Sequence, residues 1–156
     1  MEPIAGYVYY VSEDYFNEIK DPYLMRNKSN GRGRPFYCCK KSIHTGLYWM
    51  IPLSSQKEKY QRNYARNVLK YGKCSTIVLH HYANRDTAFV IQNAFPIREK
   101  YIENILTIQE RPLLVPCAIQ RKIYRNFEKC MAIHRKGYKI FFTDIDKAQN
   151  VMQNQK

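Results

Sequence analysis

The chain has 156 residues, of which 45% are apolar and 25% are charged, values typical of one globular domain with a single core. We therefore expect one domain over residues 1–156, and we exclude wholesale disorder and collagen-like repeats. No uncharged apolar run approaches the ~20 residues that a bilayer-spanning helix needs, and the first residues lack the basic region of a signal peptide. These observations predict a cytoplasmic protein.

The net charge is +13, from 26 Lys and Arg against 13 Asp and Glu, and it is unevenly placed. Between Pro22 and Arg85, 13 basic residues face one acidic residue, Glu58, so this segment carries +12 of the total. A field of one sign attracts a polyanion through counterion release, which favours nucleic acid as the partner over a membrane surface. A basic surface that serves only solubility is the alternative.

The cysteines indicate neither a disulfide framework nor a zinc site. There are five of them, two are adjacent (Cys38 and Cys39), and no C-x-x-C pair occurs. We expect buried thiols that act as small apolar side chains, and no metal or cofactor.

In chain order, hydrophobic periodicity and turn residues predict an α+β fold, with helices packed against a mostly antiparallel sheet. A basic, glycine-containing loop is expected over residues 21–34, and residues 101–115 show no clean periodicity. The predicted strands span residues 4–11, 36–41, 47–53, 74–81 and 87–92. The predicted helices span residues 12–20, 57–71 and 116–136, with a short last helix after Asp144.

The helix predicted over residues 57–71, which Gly72 should end, has two distinct faces. An apolar stripe at spacings of three and four should face the core: Tyr60, Tyr64, Val68 and Tyr71. A neighbouring basic face should bind the nucleic-acid backbone: Lys59, Arg62, Arg66, Lys70 and Lys73.

Aromatic residues beside the basic loop are candidates for base stacking. The chain has 14 tyrosines, most of which the core must absorb. Tyr15, Tyr23 and Phe36 lie nearest the loop, so we expect these three rings to contact bases.

No P-loop, dinucleotide-binding or zinc-protease motif is present, and acidic residues are too few to favour a two-metal nuclease. RNA can be cleaved without metal, because its 2′-hydroxyl is an internal nucleophile. In the segment Ile51-Pro52-Leu53-Ser54-Ser55-Gln56-Lys57, a strand is expected to end beside a helix start. Two hydroxyls and an ammonium could then converge on one anion. The same segment is also an ordinary strand-to-helix junction, with Ser55 as the helix cap.

His80 and His81 suggest an acid–base pair, since imidazole titrates near neutrality. Adjacent strand residues point to opposite faces, so one strand cannot present both to one site. We expect both to be structural.

The sequence resembles the toxins of type III toxin–antitoxin systems, the ToxN/AbiQ superfamily, and within it the CptN branch. The resemblance covers nearly the whole chain and is strongest in the I-P-L-S-S-x-K-x-K segment. The matching segments are Arg34–Tyr37, Tyr48–Tyr60, Phe89–Ile97 and Arg135–Gly137, followed by Phe142, Asp144 and Ile145.

The resemblance implies a metal-independent endoribonuclease with a compact, highly twisted antiparallel sheet, similar to the Kid/MazF toxins. It implies RNA cleavage to a 2′,3′-cyclic phosphate and a 5′-hydroxyl, often at adenine-rich sites. It also implies a bacterial cytoplasmic toxin that a repeat-derived RNA pseudoknot inhibits in a closed toxin–RNA assembly, with phage defence by abortive infection. Neither DNA nor membrane is an expected partner.

By position, Ser54, Ser55 and Lys57 match the hydroxyl, serine and lysine of the family's active-site motif. Arg34 lies where relatives can have a lysine and is expected to clamp a phosphate. Tyr15 and Tyr23 match tyrosines near the RNA, although the glycine-rich loop after Tyr23 departs in length from the family pattern. The alternative function is a non-catalytic RNA-binding or translational-control protein that uses the same basic groove.

Overall fold

The computed structural model describes residues 2–27 and 33–155. In this part of the chain the strands and helices follow one another as β1 (Val8–Val11), α1 (Glu13–Ile19), β2 (Phe36–Lys41), β3 (Tyr48–Ser54), α2 (Lys57–Tyr71), β4 (Ile77–Tyr82), β5 (Arg85–Val90), β6 (Phe95–Ile97), β7 (Ile102–Ile105), β8 (Thr107–Ile108), β9 (Arg111–Pro112), α3 (Cys117–Arg135) and α4 (Ile145–Asn154). The predicted α+β class is confirmed.

Strand β3 is the centre of a seven-stranded antiparallel sheet with the order β4-β5-β3-β2-β1-β7, and β6 also pairs with β3. The first residues of β3 pair with β6, whereas Leu53 and Ser54 pair with β5. Pro52, which has no N–H to donate, lies where β3 changes partners. All seven residues of β3 are buried, so packing in the core holds the end of this strand in place.

Alternation along β2 and β3 divides the core between two faces of the sheet. Cys39, Trp49 and Ile51 belong to the cluster that packs against α3. Phe36 and Met50 belong to the opposite cluster, which α1 and α4 cover. A third, smaller cluster lies beneath the start of α2.

Several predicted helix ends are confirmed. The Ser12 hydroxyl accepts a hydrogen bond from the N–H of Asp14 and caps α1. Gly72 ends α2 in the left-handed region, with φ of 78°. Asp144 caps α4 through the N–H of Lys147.

Several strands differ from the sequence analysis. The strands predicted over residues 74–81 and 87–92 lie at Ile77–Tyr82 and Arg85–Val90, and β6 was not predicted. The first strand begins at Val8 rather than residue 4, because residues 5–7 form a turn. The uninterpreted segment 101–115 forms β7 and a small hairpin of β8 and β9, in which Gln109 and Glu110 have positive φ. Residues 28–32 of the predicted loop lie outside the described part of the chain.

The predicted apolar stripe of α2 is largely wrong. Tyr60 is buried and Tyr64 is half-buried, but Val68 and Tyr71 are exposed. The helix packs on β4 and β5 through its first turns only. Its second half extends past these strands, where none of the described core residues covers it.

The prediction of buried thiols holds for four of the five cysteines, and Cys117, at the start of α3, is exposed. Burial raises the pKa of the Cys38 and Cys130 thiols to about 12, which keeps them protonated at neutral pH. No helix in residues 2–27 and 33–155 has both the length and the apolar composition needed to cross a bilayer.

Candidate active site and nucleic-acid interface

The chain leaves β3 at Ser54 and enters α2 at Lys57, and this junction places the two serines differently. Ser54 is 6% exposed, and its hydroxyl accepts a hydrogen bond from the N–H of Gln56 at 3.2 Å. Ser55 is exposed, and none of the described residues hydrogen-bonds its hydroxyl. The Ser55 backbone carbonyl instead accepts from the N–H of Lys57 at 2.8 Å.

Ser55 is not the helix cap that one interpretation of the sequence predicted. The residue in the cap position of α2 is Gln56, whose side chain makes no capping hydrogen bond. The stabilising hydroxyl of the junction belongs to Ser54, one residue earlier than expected. The Ser55 hydroxyl is therefore available to a ligand.

Both serines line a cleft of about 310 Å³, which we call the serine cleft. Gly33 forms part of one wall, where a Cβ would come within 2.8 Å of the Tyr10 ring. Two guanidinium groups also line it, those of Arg34 and Arg85. Hydroxyl donors and cations in one recess of this size can hold a phosphodiester.

Arg34 is half-buried and supports the end of β3. Its Nη1 donates to the carbonyl of Leu53 at 3.0 Å, and its Nε donates to the carbonyl of Arg26 at 3.1 Å. Burial lowers the pKa of the Arg34 guanidinium, which nevertheless remains a cation at neutral pH. The predicted phosphate clamp is thus also a structural brace next to Ser54.

Lys57 is held by a carboxylate that sequence reasoning did not assign to the site. Its Nζ lies 2.8 Å from Asp86 Oδ2, and Asp86 Oδ1 lies 3.2 Å from His81 Nδ1. The hydrogen bond to Asp86 raises the pKa of Lys57, and the same bond lowers the pKa of Asp86. Both groups therefore stay charged across the neutral range.

The register of the β4–β5 hairpin explains this arrangement. Ala83 and Asn84 have positive φ and form a two-residue turn, so His81 pairs directly with Asp86 and His80 with Thr87. The strands predicted over residues 74–81 and 87–92 leave Asp86 in the turn between them, so they do not predict its pairing with His81. Asn84 tolerates positive φ, but Ala83 gives no sequence signal for a two-residue turn.

Lys57, Asp86 and His81 line a second recess of about 350 Å³, which we call the Lys57 cleft. Thr87 lines both this recess and the serine cleft, so the two adjoin. The structure thus brings the predicted residues Ser54, Ser55 and Lys57 to one edge of the sheet and adds groups that can move a proton.

The predicted basic face of α2 is exposed. Lys59, Arg62 and Arg66 lie in successive turns that lead away from Lys57, and in the described part of the chain none of them is paired with a carboxylate. At 1.5 Å per residue they span ~10 Å, enough to contact successive phosphates of one strand.

Tyr15 and Phe36 do not fit the base-stacking role predicted for them. Both rings are fully buried. Tyr15 stacks on Phe95 with ring centroids 4.9 Å apart, and its hydroxyl donates to the carbonyl of Pro96 at 2.9 Å. Phe36 contacts Phe95 from the other side, with ring centroids 5.4 Å apart. Neither ring presents a face to a base, and both are core residues.

Tyr23 is 59% exposed, as a stacking residue should be, but it lines a different cleft from Ser54 and Ser55. Its ring lies under the ammonium of Lys139, 5.8 Å from Nζ to the ring centroid. The predicted RNA contact of Tyr23 is therefore separate from the serine cleft.

In the described ranges, no three His, Cys, Asp or Glu side chains are grouped so that they could hold a metal ion. The cations that line the two clefts are those of Arg34, Arg85 and Lys57.

No family model matches the sequence, and no curated protein matches it significantly. Two solved structures match the fold. AbiQ, a lactococcal anti-phage endoribonuclease belonging to the type III toxin–antitoxin system, has a TM-score of 0.70 at 13% identity, over 92% of this chain and 93% of its own. A structure from a bacterial antiviral system that a processed non-coding RNA regulates has a TM-score of 0.72 at 15% identity, over 96% of this chain and 98% of its own. The protein therefore has the fold of a type III toxin–antitoxin endoribonuclease.

Proposed function

We propose that this protein is the endoribonuclease toxin of a type III toxin–antitoxin system. The observation that carries the proposal is an exposed Ser55 hydroxyl, which bonds none of the described residues, in a cleft that adjoins the one lined by the charged Lys57 ammonium. The shared fold with AbiQ, an anti-phage endoribonuclease, supports it, as does the charge of +13.

The reaction is attack of the substrate's 2′-hydroxyl on the adjacent phosphorus. The O2′–P bond forms, the P–O5′ bond breaks, and the products are a 2′,3′-cyclic phosphate and a 5′-hydroxyl. Ser55 donates a hydrogen bond to a phosphate oxygen, and Lys57 stabilises the negative charge that develops on the phosphorane. Asp86 is a positioning residue that fixes Lys57 Nζ at 2.8 Å and keeps it protonated.

The reaction removes one proton from O2′ and supplies one to O5′. We assign this transfer to His81, because its imidazole lines the same cleft as Lys57 and contacts Asp86 through Nδ1, and imidazole is the side chain that most often acts as a general acid or base. His81 Nε2 is the nitrogen left for the substrate. Because Lys57 is held protonated, it is an electrostatic stabiliser rather than the base.

The RNA backbone would follow the basic face of α2 away from the clefts, with Arg85 and Arg34 at the scissile phosphate. With roughly six to ten phosphates contacted, RNA affinity should fall about 10³–10⁵-fold between 50 and 200 mM salt. Fluorescence anisotropy with an uncleavable 2′-O-methyl RNA measures this. An affinity that does not change with salt would contradict binding along this face.

Cleavage should persist in excess EDTA, because Lys57 and the guanidinium groups supply the charge that metal ions supply in other nucleases. The measurement is end-group analysis of RNA fragments made by the purified protein in EDTA. We expect 2′,3′-cyclic phosphate and 5′-hydroxyl ends, and no such fragments from a Lys57→Ala preparation, which controls for contaminating nucleases. Abolition by EDTA, or 5′-phosphate ends, would overturn the mechanism.

For the inhibitor we propose an RNA. The antiviral system of similar fold is regulated by a processed non-coding RNA, and the +12 segment offers the groove for one. The proposal extends to a repeat-derived pseudoknot, held in a closed toxin–RNA assembly that releases the toxin during phage infection. If the toxin cuts its own RNA precursor, the retained product would block the serine cleft.

A further inference from the structure

A cleft of about 560 Å³ opens where the end of α1, the end of α3 and the start of α4 meet. Its walls include Tyr23, Tyr138 and Phe142, and we call it the aromatic cleft. We propose that the aromatic cleft binds an unpaired nucleotide of the RNA, as a subsite separate from the two clefts of the active site. This inference rests on the proposed function, because it assumes an RNA ligand.

Three aromatic rings are exposed in this one recess. Tyr23 is 59% exposed, Tyr138 is 67% exposed and Phe142 is 48% exposed. Exposed rings that share a concave surface are a binding feature, because each lacks the packing that normally buries an aromatic side chain. The cleft volume is within the range of pockets that hold small ligands, so a nucleotide fits.

The rings are mounted on a fixed frame. The N–H of Phe142 donates to the carbonyl of Gln92 at 2.8 Å, and the carbonyl of Tyr23 accepts from the side-chain amide of Asn93 at 2.8 Å. The hydroxyl of Thr143, the residue after Phe142, donates to the carbonyl of Ala94 at 2.6 Å. Because the backbone on both sides is already held, binding would order only the side chains, which lowers its entropic cost.

Three aspartates and three lysines line the cleft, and each of the three carboxylates already accepts a hydrogen bond or contacts a histidine within the protein. One carboxylate, that of Asp21, accepts hydrogen bonds from the backbone N–H groups of Tyr23 and Asp144. The carboxylate of Asp144 accepts a hydrogen bond from the backbone N–H of Lys147, and Asp146 Oδ2 lies 3.0 Å from His134 Nε2. The lysines that line the cleft form no salt bridge within residues 2–27 and 33–155, so their ammonium groups can contact a ligand: Lys20, Lys139 and Lys147.

Rings beside free ammonium groups match the chemistry of single-stranded nucleic acid, whose bases stack and whose phosphates need cations. Lys139 Nζ already lies 5.8 Å from the Tyr23 ring centroid, so a phosphate on Lys139 would place its base near that ring. An acidic peptide would satisfy the lysines but leave the rings exposed. RNA is therefore the ligand that uses both features.

The test compares Tyr138→Ala/Phe142→Ala with wild type on two uncleavable 2′-O-methyl RNAs. One is a long unstructured RNA, and the other is a short oligonucleotide that fills only the active-site clefts. Stacking of one base on an aromatic ring is worth roughly 5- to 150-fold in affinity. We expect the double variant to lose at least about tenfold on the long RNA, with an unchanged salt slope because no cation is removed, and nothing on the short one.

The matched control is Tyr124→Ala, which removes an exposed tyrosine that also lies under a lysine, with Lys40 Nζ 5.7 Å from its ring, but outside all three clefts. It should bind both RNAs as wild type does. Wild-type affinity of the double variant for the long RNA, or an equal loss on both RNAs, would overturn the proposal. Failure of the wild type to bind either RNA would instead contradict the proposed function.

Discussion

Ser55→Ala is expected to lower the single-turnover rate of RNA cleavage by about 10²–10³-fold, the loss typical of removing one donor that stabilises transition-state charge. RNA affinity should stay within about tenfold of wild type, since one hydrogen bond is worth roughly 0.5–1.5 kcal/mol. The protein should keep its stability, because the Ser55 hydroxyl is exposed and bonds none of the described residues. Quench-flow cleavage, anisotropy and thermal melting measure the three quantities.

Ser54→Ala is the matched control for this prediction. The Ser54 hydroxyl is buried and accepts the N–H of Gln56, so its loss should cost about 0.5–1.5 kcal/mol of stability and lower the melting temperature. If Ser55→Ala melted early and cut RNA at the wild-type rate, Ser55 would be a structural residue and the assignment would be wrong.

His81→Gln is expected to lower the cleavage rate by about 10²–10⁴-fold and to remove the acid limb of the pH–rate profile. With imidazole as the base, the wild-type rate should fall at acid pH, because protonated imidazole cannot accept a proton. The pair of Lys57 and Asp86 cannot produce this limb. Lys57 has a raised pKa and Asp86 a lowered one, so neither changes charge near neutrality.

Two further variants test whether His81 causes the fall in cleavage rate at acid pH. Asp86→Asn should slow cleavage, because Lys57 and His81 lose the carboxylate that both contact. The cleavage rate should still fall at acid pH, because the imidazole of His81 remains. His80 also lines the Lys57 cleft, but no described carboxylate contacts it, so His80→Gln should leave the rate and its fall at acid pH unchanged if His81 is the base. An acid limb that survives in His81→Gln would exclude His81 as the base.

The bounds of α2 could be predicted because they depend on local chemistry. Gly72 adopts the left-handed conformation that ends a helix, and the sequence before it has helical periodicity. Which side chains that helix buries could not be predicted, because the exposure of Val68 and Tyr71 depends on how far α2 extends past β4 and β5.

The same distinction applies to the site. Ser55 and Lys57 follow a strand end, which a short segment of sequence reveals. The partner of Lys57 required the hairpin register, and a change of turn length moves Asp86 away from His81. The burial of Tyr15 could not be predicted from its position near the basic loop, because that position does not determine which side of α1 the ring faces.

The most direct test of the central claim is the single-turnover cleavage rate of Ser55→Ala/Lys57→Ala on one RNA in EDTA, with the affinity for the uncleavable form of that RNA measured alongside. An endoribonuclease with its active site at the end of β3 should lose cleavage while RNA binding falls by about tenfold or less, because the proposed path of the RNA has most of its phosphate contacts along α2. Cleavage at the wild-type rate would place the chemistry elsewhere. RNA binding without cleavage in the wild type would favour the non-catalytic RNA-binding protein.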